Sequence, residues 1–365
     1  MKISPRILAA TIALLPLSLT SLSVVGQEAP KYPVTEGDYV AHNFKFRSGE
    51  QLADLRLHYR TLGQPARDSH GKVTNAVLIL HGTTGSSTQF LIPQFTGELF
   101  GPGQPLDTNK YFIILADGIG HGKSTKPSDG MHAHFPQYDY DDMVLAQHLM
   151  LTEGLGIEHL RLIFGTSMGC MHAFVWGETY PDFMDAMMPV ACLPVPISGR
   201  NRVWRKMSMD AIRDDPAWQG GDYKEEPMQG LRAARDLFVI VGSAPVQMQK
   251  TLPTRDAADK YVASTVDAHI TDLDANDLWY ALNASRTYDP SPNLENITAP
   301  VMWINSADDF INPPELGIAE RESKRVKNGT FVLLPISENT HGHGTHTWAV
   351  AWKEYLVQLL QKSAH

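Results

Sequence analysis

Gly165-Thr166-Ser167-Met168-Gly169 follows an apolar run at residues 160–164 and leads into a helical stretch. A serine flanked in this way, at the turn from strand to helix, is lifted clear of the backbone as a nucleophile. So sharp a turn has no room for side chains near the serine, and Gly165 and Gly169 let the neighbouring backbones approach. The helix N-terminus behind Ser167 favours a developing oxyanion. A serine hydroxyl also needs a base, and the base needs an acid to orient it, in the chain order Ser, Asp, His.

Both partners occur where strands are expected to end. The run at residues 301–304 leads to Asp308-Asp309-Phe310-Ile311-Asn312-Pro313. Asp309 begins a D-x-hydrophobic-x-P pattern that turns an acid toward the top of a sheet, so it is the expected acid, with Asp308 the alternative. The base is expected in His341-Gly342-His343-Gly344-Thr345-His346, after the run at residues 330–334. His343, between two glycines, is free to reach a serine hydroxyl, and His346 is the alternative. A metal site in this loop is disfavoured, because no cysteine and only Glu338 accompany the histidines. The oxyanion needs two backbone donors, and Met168 and Thr83 are the expected pair, Thr83 from the His81-Gly82-Thr83-Thr84-Gly85 loop after residues 76–80. His81 is expected to hold that loop rather than act as a base.

These residues require a scaffold of strands ending on one edge. Short, continuous apolar runs at residues 76–80, 111–116, 160–164 and 186–191 read as buried parallel strands. Residues 39–46 and 55–61 alternate and read as a hairpin. Helices are expected at residues 140–153 and 168–180, the latter stopped by Pro181. Residues 193–290 lack strong strand signals but contain helical ones at 202–214, 229–238 and 256–268. An amphipathic helix at 347–361 closes the chain. The fold class is therefore α/β, with a mostly parallel sheet and helices on both faces, and its serine elbow resembles that of the α/β-hydrolase fold. Its core spans residues 27–192 and 291–365, with an inserted helical cap at 193–290.

The chain has 365 residues and a net charge of −9, 43% hydrophobic and 19% charged. That excludes a disordered chain and a disulfide-stapled miniature. Lysines and arginines are dispersed, so no nucleic-acid footprint is present. Lys2 and Arg6 precede an apolar run at residues 7–25, and Val24 and Gly26 suit a cleavage site. Residues 1–26 read as a secretory signal peptide, with an uncleaved anchor as the alternative, and the mature chain is expected to be periplasmic or secreted without stable membrane insertion. Cys170 and Cys192 read as buried inert thiols, a bridge between them being the alternative. Gly118-Ile-Gly120-His-Gly122-Lys123-Ser124 imitates a phosphate loop but has Asp117 where glycine is required, so it is assigned to a loop beside the site. Glycosylation triplets begin at Asn283, Asn296 and Asn328.

Phe100-Gly-Pro-Gly103, Leu106-Asp107-Thr108, Asp142-Met143-Val144, Leu155-Gly156-Ile157 and Gly165-Thr-Ser-Met-Gly169 together resemble the homoserine O-acetyltransferase family of α/β-hydrolases. Asp214-Asp-Pro-Ala-Trp218, Gly220-Gly221, Tyr223, Gly230-Leu231 and Ala234-Arg235 are similar to that family's cap. The resemblance implies Ser167, Asp309 and His343 as the triad and Thr83 as an oxyanion donor. Family members acting on homoserine carry an F-G-R-like stretch, whose arginine meets the substrate carboxylate, and an acid directly after the catalytic histidine for its amine. Residues 241–265 contain no such stretch and Gly344 follows His343, so a zwitterionic substrate is expected to lose both charge partners.

The expected function is therefore an exported serine hydrolase acting on an ester or related acyl bond of a small-molecule substrate, with no cofactor and no metal. An O-acyltransferase is the alternative, and a catalytically silent binding protein of the same fold the second. A homodimer stays open. Trp204, Met207, Met209, Trp218, Met228 and Met248 are candidates to line an apolar pocket, though packing is the commoner use of such residues.

Overall fold

A computed structural model describes residues 32–270 and 273–364. The expected signal peptide lies outside the described residues. The strands are β1 (Thr35–Lys45), β2 (Gln51–Leu62), β3 (Ala76–Leu80), β4 (Phe112–Ala116), β5 (Leu162–Thr166), β6 (Met187–Val190), β7 (Val301–Ser306) and β8 (Gly329–Leu334). They form one sheet in the order β1-β2-β4-β3-β5-β6-β7-β8. β1 and β2 are antiparallel, β2 joins β4 antiparallel, and all later pairings are parallel. Strands β3 to β7 are buried at every position, which is why they read as unbroken apolar runs rather than alternating ones.

Helices cover both faces. They are α1 (Pro93–Leu99), α2 (Tyr140–Leu149), α3 (Met168–Thr179), α4 (Gly199–Arg213), α5 (Met228–Val241), α6 (Pro245–Thr251), α7 (Arg255–Ile270), α8 (Ala275–Asn283), α9 (Ile318–Glu322) and α10 (Lys353–Lys362). Asp139 caps α2 by accepting from Asp142 N–H at 3.1 Å, while the Asp142 side chain accepts from Asp139 N–H at 3.0 Å, a reciprocal arrangement that satisfies two orphan donors. Two cores flank the sheet, one including Phe174, Trp176 and Trp303, the other Phe95, Phe164 and Trp352. A third joins the helices between β6 and β7 through Trp204, Ile212, Leu231 and Leu278. Among the described residues no helix is long and apolar enough to cross a membrane.

The cysteines depart from the favoured expectation of inert thiols. Cys170, in the first turn of α3, is bonded to Cys192, just past β6, with Cα atoms 5.8 Å apart. Adjacent parallel strands β5 and β6 bring the two positions together, a proximity that the 22-residue separation alone does not reveal. Closing a loop of this length is worth about 3 kcal/mol. The Cys170→Ala, Cys192→Ala double variant is expected to lose about 2–4 kcal/mol in urea unfolding; an unchanged midpoint would contradict this.

Candidate active site

Ser167 sits between β5 and α3 at φ +55°, ψ −110°, a backbone conformation that non-glycine residues seldom adopt. Its N–H donates to Val190 O at 2.9 Å, which fixes the turn against β6. The flanking glycines are steric necessities. A Cβ on Gly165 would lie 2.0 Å from Gly169 O, and one on Gly169 would lie 2.1 Å from Leu80 O. The turn is thus wedged between the end of β3 and the start of α3.

The structure brings Ser167, His343 and Asp309 into one hydrogen-bonded line. Ser167 Oγ is 2.8 Å from His343 Nε2, and His343 Nδ1 is 2.9 Å from Asp309 Oδ2. Asp309 also accepts from Ile311 N–H at 2.8 Å, Asn312 N–H at 3.2 Å and the Asn312 amide at 3.0 Å. Burial alone would push this carboxyl up, but His343 and these donors outweigh it and hold it below the ordinary carboxylate range. An ionised Asp309 can only accept, so the His343 proton lies on Nδ1 and the Nε2 lone pair faces the serine hydroxyl. Asp308 instead accepts from Ser306 Oγ.

His343 is delivered by a turn that Gly342 makes at φ +60°, where a Cβ would come within 2.4 Å of Ser243 O. His341 stacks on Trp348 with ring centroids 3.9 Å apart. His346 packs edge-on against His343 at 5.3 Å. Burial, then the neighbouring His343, lowers His346 to about 3, so it is uncharged at neutral pH. Among the described residues no cluster of three or more His, Cys, Asp or Glu side chains could hold a metal ion.

Thr83 and Met168 flank the serine from two sides. Met168 is the first residue of α3, so its N–H has no acceptor within the helix. The loop carrying Thr83 lies against Ser167, since a Cβ on Gly82 would meet Ser167 Cβ at 3.4 Å. His81 braces that loop: its Nε2 accepts from Gly118 N–H at 3.0 Å, leaving Nδ1–H to donate to Gly82 O at 2.8 Å. Burial, then His121, lowers His81 to about 4, so it is neutral. His121 adds a tie from Nε2 to Thr83 O at 2.8 Å. In the phosphate-loop mimic, Asp117 accepts from Ser87 N–H at 2.6 Å and Lys123 N–H at 2.8 Å, which folds the loop inward rather than around a phosphate.

A cavity of about 620 Å³ opens above Ser167 and His343. Trp204, Phe238, Val241 and Ile311 supply its apolar wall, and Arg205 and Arg235 enter it from α4 and α5. No carboxylate is among its lining residues. Of the two charge partners a zwitterionic substrate was expected to lose, a cation for its carboxylate is thus available, while the cavity lining offers no acid for its amine. The arginines come from the inward faces of α4 and α5 rather than from residues 241–265. The detectable signal was an arginine within each helix's apolar stripe: Arg205 shares a face with Ser208, Met209 and Ile212, and Arg235 with Leu231 and Phe238. Of the candidate pocket-lining residues, Trp204 reaches this cavity, Met209 packs in the helical core, and Met207 and Met228 are exposed.

A parallel sheet carrying a serine elbow, an acid after β7 and a histidine after β8 defines an α/β-hydrolase, and the family model described as alpha/beta hydrolase fold matches residues 75–335. The homoserine O-acetyltransferase of Haemophilus influenzae (strain 86-028NP) is 31% identical over 339 residues, covering 84% of this chain and 92% of that protein. That of Methanohalophilus mahii is 30% identical over 311 residues, 77% of this chain, which spans 63% of that protein's length. The solved structure of esterase E22 superposes with a TM-score of 0.79 at 21% identity, over 90% of this chain and 100% of that one. The chain belongs to the homoserine O-acetyltransferase family within the α/β-hydrolases.

Proposed function

We propose that the protein is an exported acyl-transfer enzyme that carries a short acyl group on Ser167 and passes it to the hydroxyl of a carboxylate-bearing acceptor. The observation that carries this reading is the Ser167–His343–Asp309 line beneath a cavity containing two arginines and no acid. His343 Nε2 takes the serine proton as Oγ attacks the ester carbonyl, and the Thr83 and Met168 N–H groups receive the oxyanion. The alkoxide leaves with the proton from His343. The acceptor hydroxyl then gives its proton to His343 and attacks the acyl-serine, restoring the free enzyme. Arg235 is the cation for the acceptor carboxylate. The named activity of the H. influenzae and M. mahii relatives supports transfer to a hydroxyl.

Gly344 favours a second outcome on the same acyl-enzyme. It offers no charge to an acceptor amine, so water competes for the acyl group, in keeping with the likeness to esterase E22. Export is supported by the leader-like residues 1–26 and by the Cys170–Cys192 bridge, which persists in oxidising compartments.

The test is turnover of p-nitrophenyl acetate alone and with 4-hydroxybutyrate or homoserine, which differ only in the amine. Acetate release without acceptor, and acetylation of 4-hydroxybutyrate at least about 10-fold faster than homoserine, are expected, since a pocket with no partner for a buried ammonium rejects it. Homoserine acetylated as well as its deamino analogue would show that another group holds the amine.

A further inference from the structure

Arg205, on α4, is a charged side chain that lies deep in the fold. Its side chain is 1% exposed. Nε donates to Asn201 Oδ1 at 3.0 Å, while Nη1 is buried without a partner. The guanidinium lies 4.9 Å from the Trp204 ring. No carboxylate pairs with it among the described residues, in contrast to arginines such as Arg325, which meets Glu295 and Glu322. The Tyr140 hydroxyl, fully buried, is the group that most favours its charge. Burial raises the Tyr140 phenol above its ordinary value, so it is neutral and supplies no counter-charge.

A buried guanidinium without an anion is strongly unfavourable unless a ligand brings the missing charge. Arg205 lines the cavity over Ser167, so a ligand can reach it. Thr83, which carries an expected oxyanion donor, lines the same cavity, and its hydroxyl is likewise buried without a partner. The cationic head therefore shares that cavity with the loop expected to receive the acyl carbonyl oxygen.

Resting on the acyl-transfer reading above, we propose that Arg205 binds a carboxylate at the far end of the acyl group, so that the enzyme's acyl donors are half-esters of dicarboxylic acids. The acceptor's carboxylate is left to Arg235, one arginine for each half of the reaction. A guanidinium is suited to this, because its planar fork meets a carboxylate through two parallel hydrogen bonds.

The experiment compares kcat/KM for monoethyl succinate and ethyl pentanoate, whose acyl chains are of similar length but differ in charge, by pH-stat. The unaltered protein is expected to prefer monoethyl succinate, and Arg205→Met to reduce that preference by about 10- to 100-fold, the usual worth of hydrogen bonds to a charged group. Arg205→Lys should restore part of it. Circular dichroism melting of each variant separates misfolding from lost recognition, and the ratio of the two esters is insensitive to the amount of folded enzyme. Equal use of both esters by the unaltered protein, or a preference unmoved by Arg205→Met, would overturn the proposal. So would a loss confined to acetoxyacetate, whose acid lies on the alcohol half. Turnover of p-nitrophenyl acetate that vanishes in Ser167→Ala reports on the acyl-enzyme itself, so its absence in the unaltered protein would count against the underlying reading instead.

Discussion

Ser167→Ala is expected to lower kcat for p-nitrophenyl acetate by about 10⁶-fold, the scale on which removing the nucleophile of a serine triad acts, while leaving the melting temperature within a few degrees. The size of the effect follows from the geometry. His343 Nε2, 2.8 Å from Oγ, has no other hydroxyl to activate in this line, and the Thr83 and Met168 amides can stabilise an oxyanion only when something attacks the carbonyl. What survives is the contribution of binding and of those two donors to attack by water. The variant loses a single oxygen at a residue only 8% exposed, and the turn itself is kept by the Ser167 N–H bond to Val190 O and by Gly165 and Gly169. A residual rate within about 100-fold of the unaltered protein would remove Ser167 from the chemistry.

The second large effect belongs to the acid. Asp309→Asn is expected to depress kcat by about 10⁴-fold, because an amide can donate to His343 Nδ1 and so move the ring proton to Nε2, leaving no lone pair for the serine. Asp308→Asn is expected to cost less than about 10-fold, since Asp308 is engaged by Ser306 and not by His343. The two adjacent carboxylates make an internal control of equal charge change. Steady-state kinetics on both variants checks the ranking, and the reverse order would shift the orienting role one residue back.

The site was more legible in the sequence than its surroundings. Gly165, Ser167 and Gly169 announce the elbow because local sterics alone demand those residue types, and β3 coincides with the apolar run at residues 76–80 because a strand buried on both faces leaves no ambiguity. β1 begins at Thr35, four residues before the alternating pattern at 39–46, because its exposed N-terminal part is held by backbone pairing with β2, which side-chain patterning does not report. The short helices α1 and α6 open on Pro93 and Pro245 and carry too few residues to show a period. α2 passes at Met150–Gly154 into a π-helical turn, so the helical stretch at 140–153 is right in extent and mixed in kind. The disulfide and the two cavity arginines depend on which elements become neighbours. Cys170 meets Cys192 only once β5 and β6 are adjacent, and Arg205 shares a cavity with Ser167 only once α4 is laid over the strand ends.

An acyl group that passes through Ser167 can be trapped there as an ester. The protein is mixed with p-nitrophenyl acetate, quenched in acid within the first turnover, digested and analysed by mass spectrometry. One acetyl group is expected on the peptide containing Ser167, absent from Ser167→Ala and lost when 4-hydroxybutyrate is added to the unaltered protein before the quench. An acetyl group found on His343 or on another residue, or turnover with no acylated Ser167 at any quench time, would contradict passage through Ser167.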